Sequence, residues 1–228
     1  IFMTFSGTTP GTFTLAHELG HAYHNSVQRD LPAMARGFSM CTAETASTFA
    51  EGVVSRAALA GATTKEERLA LLDGAIHNVV AMFMNIHARF LFEERLYEAR
   101  QKGLLGVEQL NGMMEEAQRE AYRDGLVAYH PQFWASKGHF YGTGTAFYNF
   151  PYTFGFLFSS GIYARAVSEG PGFADKYVGL LRDTGRMDTE ELAGRHLGVS
   201  LETPEFWNEA VRVAMEPVEE FIAAASQR

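Results

Sequence analysis

Apolar residues along the chain recur mostly at three- and four-residue intervals, the spacing that lines one face of an α-helix. In the longest such run, opened by Lys65-Glu66-Glu67-Arg68, the positions Ile76, Val80, Phe83 and Phe90 predict one helix reaching about Gln101. Thr9-Pro10 is a helix start signal, with Thr as cap and Pro at the first helical position, and predicts a helix through about Val27. Residues 29–36, which contain Pro32, read as a connector to a second helix over 42–59. Glycines at 103 and 106 break the pattern, and 107–122 resumes it. His130-Pro131 opens a loop region, and helix returns near 148–167. Short helices close the chain, one starting at Thr203-Pro204 and carrying Phe206, Val211 and Met215. Only 1–6, rich in β-forming residues, reads as a strand. There is no internal repeat and no low-complexity run, so the predicted fold is mainly α.

Composition narrows the function classes. The 228 residues are 46% hydrophobic and 20% charged, enough for one large domain or two small ones and incompatible with intrinsic disorder. A formal charge of -8 argues against a nucleic-acid binder, which needs a basic stripe, and against docking on anionic lipid. Cys41 is the single cysteine, which excludes a disulfide framework within the chain and fits a reducing compartment. Residue 1 is Ile and no signal peptide is visible, so the chain is expected to be a fragment of a longer protein. Residues 138–164 hold no Asp, Glu, Lys or Arg, as a membrane span would. They also hold Asn149, Pro151, Ser159 and Ser160, which suit a buried, functional aromatic region instead.

The chemistry begins at His17-Glu18-Leu19-Gly20-His21, an HExxH sequence inside the predicted first helix. Residues four apart lie one turn apart on one face, so both imidazoles can reach a single tetrahedral Zn2+. Glu18, beside the first ligand, can hold a metal-bound water without ligating the metal. A catalytic zinc wants a third protein ligand and one open position. His24 is one turn further on, and it is expected behind the ligands or facing substrate. The metzincin arrangement wants Gly at 24 and His at 27, where this chain has His24 and Val27. Glu44 and Glu51 are the candidates for third ligand. They lie seven apart on the predicted second helix with Thr48 between them, opposite an apolar face of Ala46, Phe49 and Val53. A helix hairpin through Pro32 brings Glu44 against the histidine pair.

The run Thr14-Leu-Ala-His-Glu-Leu-Gly-His-Ala-Tyr-His24, followed by Ala43-Glu-Thr-Ala-Ser-Thr-Phe-Ala-Glu51, resembles the oligoendopeptidase F branch of the thimet oligopeptidase (M3) family of zinc peptidases. Phe2-Met-Thr-Phe-Ser-Gly7 is similar to that family's substrate-binding strand. His139-Phe-Tyr141 and Phe147-Tyr-Asn-Phe-Pro-Tyr152 resemble its His and Tyr segment. The resemblance implies a zincin-like catalytic helical domain over 1–228, lacking the N-terminal helical portion of longer members. It implies His17, His21 and Glu44 as ligands of one Zn2+, Glu18 as base, and His139, Tyr148 and Tyr152 as substrate contacts. The implied activity is cytoplasmic hydrolysis of internal bonds in short oligopeptides. Zinc lowers the pKa of a bound water and Glu18 takes its proton. A phenol of Tyr152 or Tyr148, or the His139 imidazole, donates to the developing oxyanion, and Glu18 returns the proton to the leaving amine. The 2–6 strand would pair with the extended peptide.

Two rivals share these residues. A zinc carboxypeptidase of the Taq type also pairs HExxH with a later Glu, but has His directly before it, where this chain has Ala43. The other is a non-catalytic zinc-bearing scaffold. Weaker signals are set aside. Cys41 reads as small buried packing with no activating base. Gly37-Phe-Ser-Met-Cys41 lacks the last glycine of a nucleophile elbow. Gly142-Thr143-Gly144 lacks the third glycine of a dinucleotide loop. His77 and His87 read as core or surface histidines, and His130 and His196 carry no signal. Oligomeric state is not legible.

Overall fold

The structure is a computed structural model that describes residues 1–142 and 144–226, so Thr143 of the glycine-flanked near-miss lies outside the described residues. In chain order the helices are α1 (Thr9–Val27), α2 (Met40–Ala43), α3 (Thr45–Gly61), α4 (Lys65–Val80), α5 (Ile86–Arg100) and α6 (Val107–Ala121). They continue with α7 (Phe150–Glu169), α8 (Phe173–Asp183), α9 (Thr189–Leu197) and α10 (Pro204–Ser226). Among the described residues there is no strand, and the mainly α expectation holds.

The differences from the sequence pattern are local. Residues 1–6 carry no regular structure, against the strand expected there. β-forming residues make a strand only when another strand supplies a ladder, and none of the described residues does. The first helix starts one residue early. Thr8 is its cap, accepting from Gly11 N–H at 3.3 Å, and Pro10 stays in the first turn, where its missing N–H costs nothing. The predicted 42–59 helix is split at Glu44, whose φ of -91° and ψ of 3° separate α2 from α3. The long third helix is interrupted by a π-helical turn, Ala81–Asn85. The run Lys65–Arg100 is apolar enough to cross a membrane by length and composition alone. Of the suspected 138–164 stretch, Gly138–Tyr141 is a single-turn 3-10 helix and the residues from Phe150 on are the first part of α7.

The chain forms two compact units. One combines residues 1–77 with the described residues from 154 onward, and the other is the described part of 78–153. In the first unit a core of Ala46, Phe158, Ile162, Phe173, Leu180, Leu181, Leu192 and Phe206 fills the space between α3, α7, α8, α9 and α10. A smaller cluster of Leu59, Leu71 and Leu72 packs against Phe13 and Phe221. α1 and α3 lie along each other in this unit. In the second unit α5 and α6 bury Phe92, Met114 and Ala117, with Phe140 and Trp134 packed against them. The Trp134 indole N–H donates to Asn111 Oδ1 at 2.9 Å, so the half-buried ring leaves no orphaned donor.

Candidate metal centre

Two glycines let the first unit's helices approach closely enough to build a site. A Cβ on Gly20 would lie 2.4 Å from the Ala46 carbonyl oxygen and 2.6 Å from Ser47 Cα, so α3 crosses α1 at the glycine of HExxH. A Cβ on Gly155 of α7 would lie 2.9 Å from Glu44 Cβ. The break between α2 and α3 turns the Glu44 carboxylate toward α1. Its carbonyl still accepts the Thr48 N–H at 3.0 Å, so the break leaves that acceptor paired.

Three donor atoms meet there. His17 Nε2 and His21 Nε2 are 3.1 Å apart, and Glu44 Oε2 lies 3.3 Å from the first and 3.4 Å from the second. A tetrahedral zinc with bonds of about 2.0–2.1 Å sets its ligand atoms about 3.3 Å apart along each edge. The triangle therefore has the size of one face of that tetrahedron, and two neutral imidazoles with one carboxylate are a hydrolytic zinc's donor set. Three ligands leave the fourth vertex open.

The candidate ligands His17 and Glu44 are themselves held. His17 Nδ1–H donates to Glu51 Oε1 at 2.5 Å, which orients the ring and frees Nε2 for the metal. The Ser47 hydroxyl lies 2.8 Å from Glu44 Oε2 and fixes the carboxylate rotamer. Glu51 thus takes the far side of His17 rather than a ligand position. Ser47 went unnoticed in the sequence, although a hydroxyl three residues past a helix-start Glu is a common local bonding pattern. Glu18 is half-buried on α1.

His24 is not behind the ligands and does not face substrate, contrary to expectation. It is fully buried, stacks on Phe38, and donates through Nε2–H toward the Thr184 hydroxyl (2.9 Å) and the Leu181 carbonyl (3.2 Å) of the α8 end. Burial holds it near pKa 4, so it is neutral packing. Val53, expected in the core, is exposed, whereas Ala46 is buried. Cys41 is half-buried rather than buried, and desolvation raises its thiol pKa, which suits an inert thiol. His77 and His87 lie at the surface. His196 pairs with the buried Asp183 carboxylate at 2.9 Å, a contact the sequence did not signal.

His139, Tyr148 and Tyr152 lie together in the second unit. The His139 and Tyr148 rings stack at 5.7 Å, and the two tyrosine hydroxyls are 3.2 Å apart.

The electrostatics predict how a metal would load. Hydrogen bonds to Glu44 and then Glu51 push His17 up from 6.5 to about 10, so without metal the ring is protonated at neutral pH. The same His17 hydrogen bond lowers Glu44, which stays ionised. A metal must displace the His17 proton. Zinc uptake near neutrality is expected to release about one proton, and affinity to rise about tenfold per pH unit from 6.5 toward 10. Calorimetry in buffers of different ionisation heat measures both, and a pH-independent affinity would refute this charge state. The raised pKa also stabilises the metal-free fold fully below pH 6.5, and that contribution is lost as pH rises through about 10.

Gly20→Ala is expected to destabilise the fold by about 1–3 kcal/mol through overpacking and to weaken zinc binding, because the obstructing atoms are backbone. Urea unfolding and zinc titration of the variant check this, and no change in either would refute the close-approach role.

The sequence pattern of Peptidase family M3 matches residues 1–213. Oligoendopeptidase F of Lactococcus lactis subsp. cremoris is 26% identical over 219 residues, which cover 93% of this chain and 35% of the relative. Group B oligopeptidase PepB of Streptococcus agalactiae serotype III is 26% identical with the same coverage. A crystal structure from Chlamydophila abortus, assigned as a peptidase, superposes with a TM-score of 0.81 at 20% identity, covering 95% of this chain and 36% of that one, a likeness in fold. The chain thus spans about a third of the length of the curated relatives it matches.

Proposed function

The chain belongs to peptidase family M3, and on that premise we propose that it is a zinc metalloendopeptidase hydrolysing internal bonds of short oligopeptides. The observation that carries the reading is the His17–His21–Glu44 triangle, whose edges of 3.1 to 3.4 Å match a tetrahedral zinc face. The names oligoendopeptidase F and oligopeptidase of the relatives support peptide as substrate.

In this reading His17, His21 and Glu44 would hold a zinc, which would supply Lewis-acid chemistry toward the peptide carbonyl and water. The rest is the work of side chains. Glu51 keeps His17 oriented, and Ser47 keeps Glu44 oriented. Glu18 takes the proton of the attacking water and delivers it to the leaving amine, a task suited to a half-buried carboxylate. His139, Tyr148 and Tyr152 are the side chains proposed to contact the peptide, and a phenol of Tyr152 or Tyr148, or the His139 imidazole, is the proposed donor to the oxygen on which negative charge develops. A cytoplasmic setting belongs to the same proposal, and a chain with one thiol is compatible with it.

The test pairs zinc stoichiometry with cleavage of internally quenched peptides, one with a free C-terminus and one with it amidated. One zinc per chain and cleavage of both peptides are expected. Cleavage of the free peptide alone would mean a carboxypeptidase. Zinc without turnover would mean a scaffold.

A further inference from the structure

In the second unit the segment carrying His139 and Tyr148 is held from one helix face. Arg89 and Glu93 are four apart on α5 and so project from the same side. The Glu93 carboxylate is 1% exposed, and it accepts the Phe147 N–H at 2.7 Å and the Tyr97 hydroxyl at 2.8 Å. Phe147 has a φ of 52°, a left-handed conformation that a side chain this bulky adopts only under restraint, and the Glu93 bond supplies one. Two residues on, Asn149 is 2% exposed and sits between two polar partners. Arg89 Nη1 donates to it at 2.9 Å, and His139 Nε2 lies 2.5 Å from its other terminal atom.

The order of atoms follows from what each group can do. A guanidinium only donates, so the amide atom facing Arg89 must be the oxygen. The atom facing His139 is then the NH2, which also only donates. His139 Nε2 must accept, and in the neutral ring the proton resides on Nδ1. This is the opposite of the tautomer that free histidine favours in water. Burial, then the nearby Arg89 charge, lowers the His139 pKa, which keeps the ring neutral, and Lys137 acts in the same direction against the opposing Glu93.

We propose that Asn149, clamped by Arg89, is a positioning residue that holds His139 as its Nδ1–H tautomer, so that Nδ1–H is the donor offered to the peptide. The share in peptide binding rests on the peptidase reading above, but the tautomer does not.

The test is nitrogen NMR of the 15N-histidine-labelled chain, with the His139 signals assigned by their loss in His139→Gln. A pyrrole-type Nδ1 and a pyridine-type Nε2 are expected at neutral pH. Asn149→Leu should return the ring to the Nε2–H form and lower kcat for a quenched peptide by at least about tenfold, with KM little changed. An Nε2–H or charged His139 in the unaltered chain overturns the proposal, and this readout needs neither turnover nor a folded Asn149 variant. A chain that cleaves peptide with unchanged kcat in Asn149→Leu overturns the residue's share in the reaction. If the unaltered chain cleaves nothing, the peptidase reading fails, and the NMR result still decides the tautomer.

Discussion

Glu18→Gln is expected to keep its zinc and to lose peptide hydrolysis, with kcat/KM lower by at least about 10^2- to 10^4-fold. Gln has the shape and nearly the helix propensity of Glu, so α1 should form unchanged. It remains neutral and cannot take a proton from water or return one to an amine. Glu18 stands one residue beyond His17, about 100° around the helix, and the donor triangle is complete without it. Zinc content should therefore be unaltered, which separates loss of the base from loss of the metal. Metal analysis and turnover on the same preparation decide it. Retained hydrolysis would remove Glu18 as base, and lost zinc would make it a ligand.

What the sequence made legible was local. HExxH spacing is a statement about a single helix turn, and the turn forms as expected because Thr8 and Pro10 start α1 upstream. For the third ligand the residues offered Glu44 and Glu51, and the hairpin through Pro32 and the resemblance favoured Glu44. Their seven-residue spacing puts both on one face of an unbroken helix, and the break at Glu44 was invisible. With the break, both carboxylates meet His17, one at each ring nitrogen. His24 does share a face with His21, but α8 covers that face one turn further along, so equal angular position gave an unequal environment. Gly20 and Gly155 read as weak helix formers when their role is to admit a neighbouring backbone or side chain. Asn149 and Arg89 are sixty residues apart, beyond any periodic signal.

Glu44→Ala is expected to weaken zinc binding more than about a hundredfold, whereas Glu51→Gln should cost about ten- to a hundredfold, the range for partners behind a ligand. The asymmetry follows from position. Glu44 Oε2 is the vertex shared by both imidazole Nε2 atoms, while Glu51 touches only the rear nitrogen of His17. The backbone around residue 44 should survive the change. Its carbonyl keeps the bonds from Thr48 N–H and the Thr48 hydroxyl, and an Ala Cβ occupies the same space against Gly155. Circular dichroism should therefore show native helix content. The variant carries a second signature. Glu44 is the largest cause of the raised His17 pKa, so without it the proton barrier to metal loading shrinks. The rise of the residual zinc affinity with pH should level off at a lower pH than in the unaltered chain. Zinc titrations across pH read both effects, and an unchanged affinity in a folded Glu44→Ala chain would take Glu44 out of the ligand set.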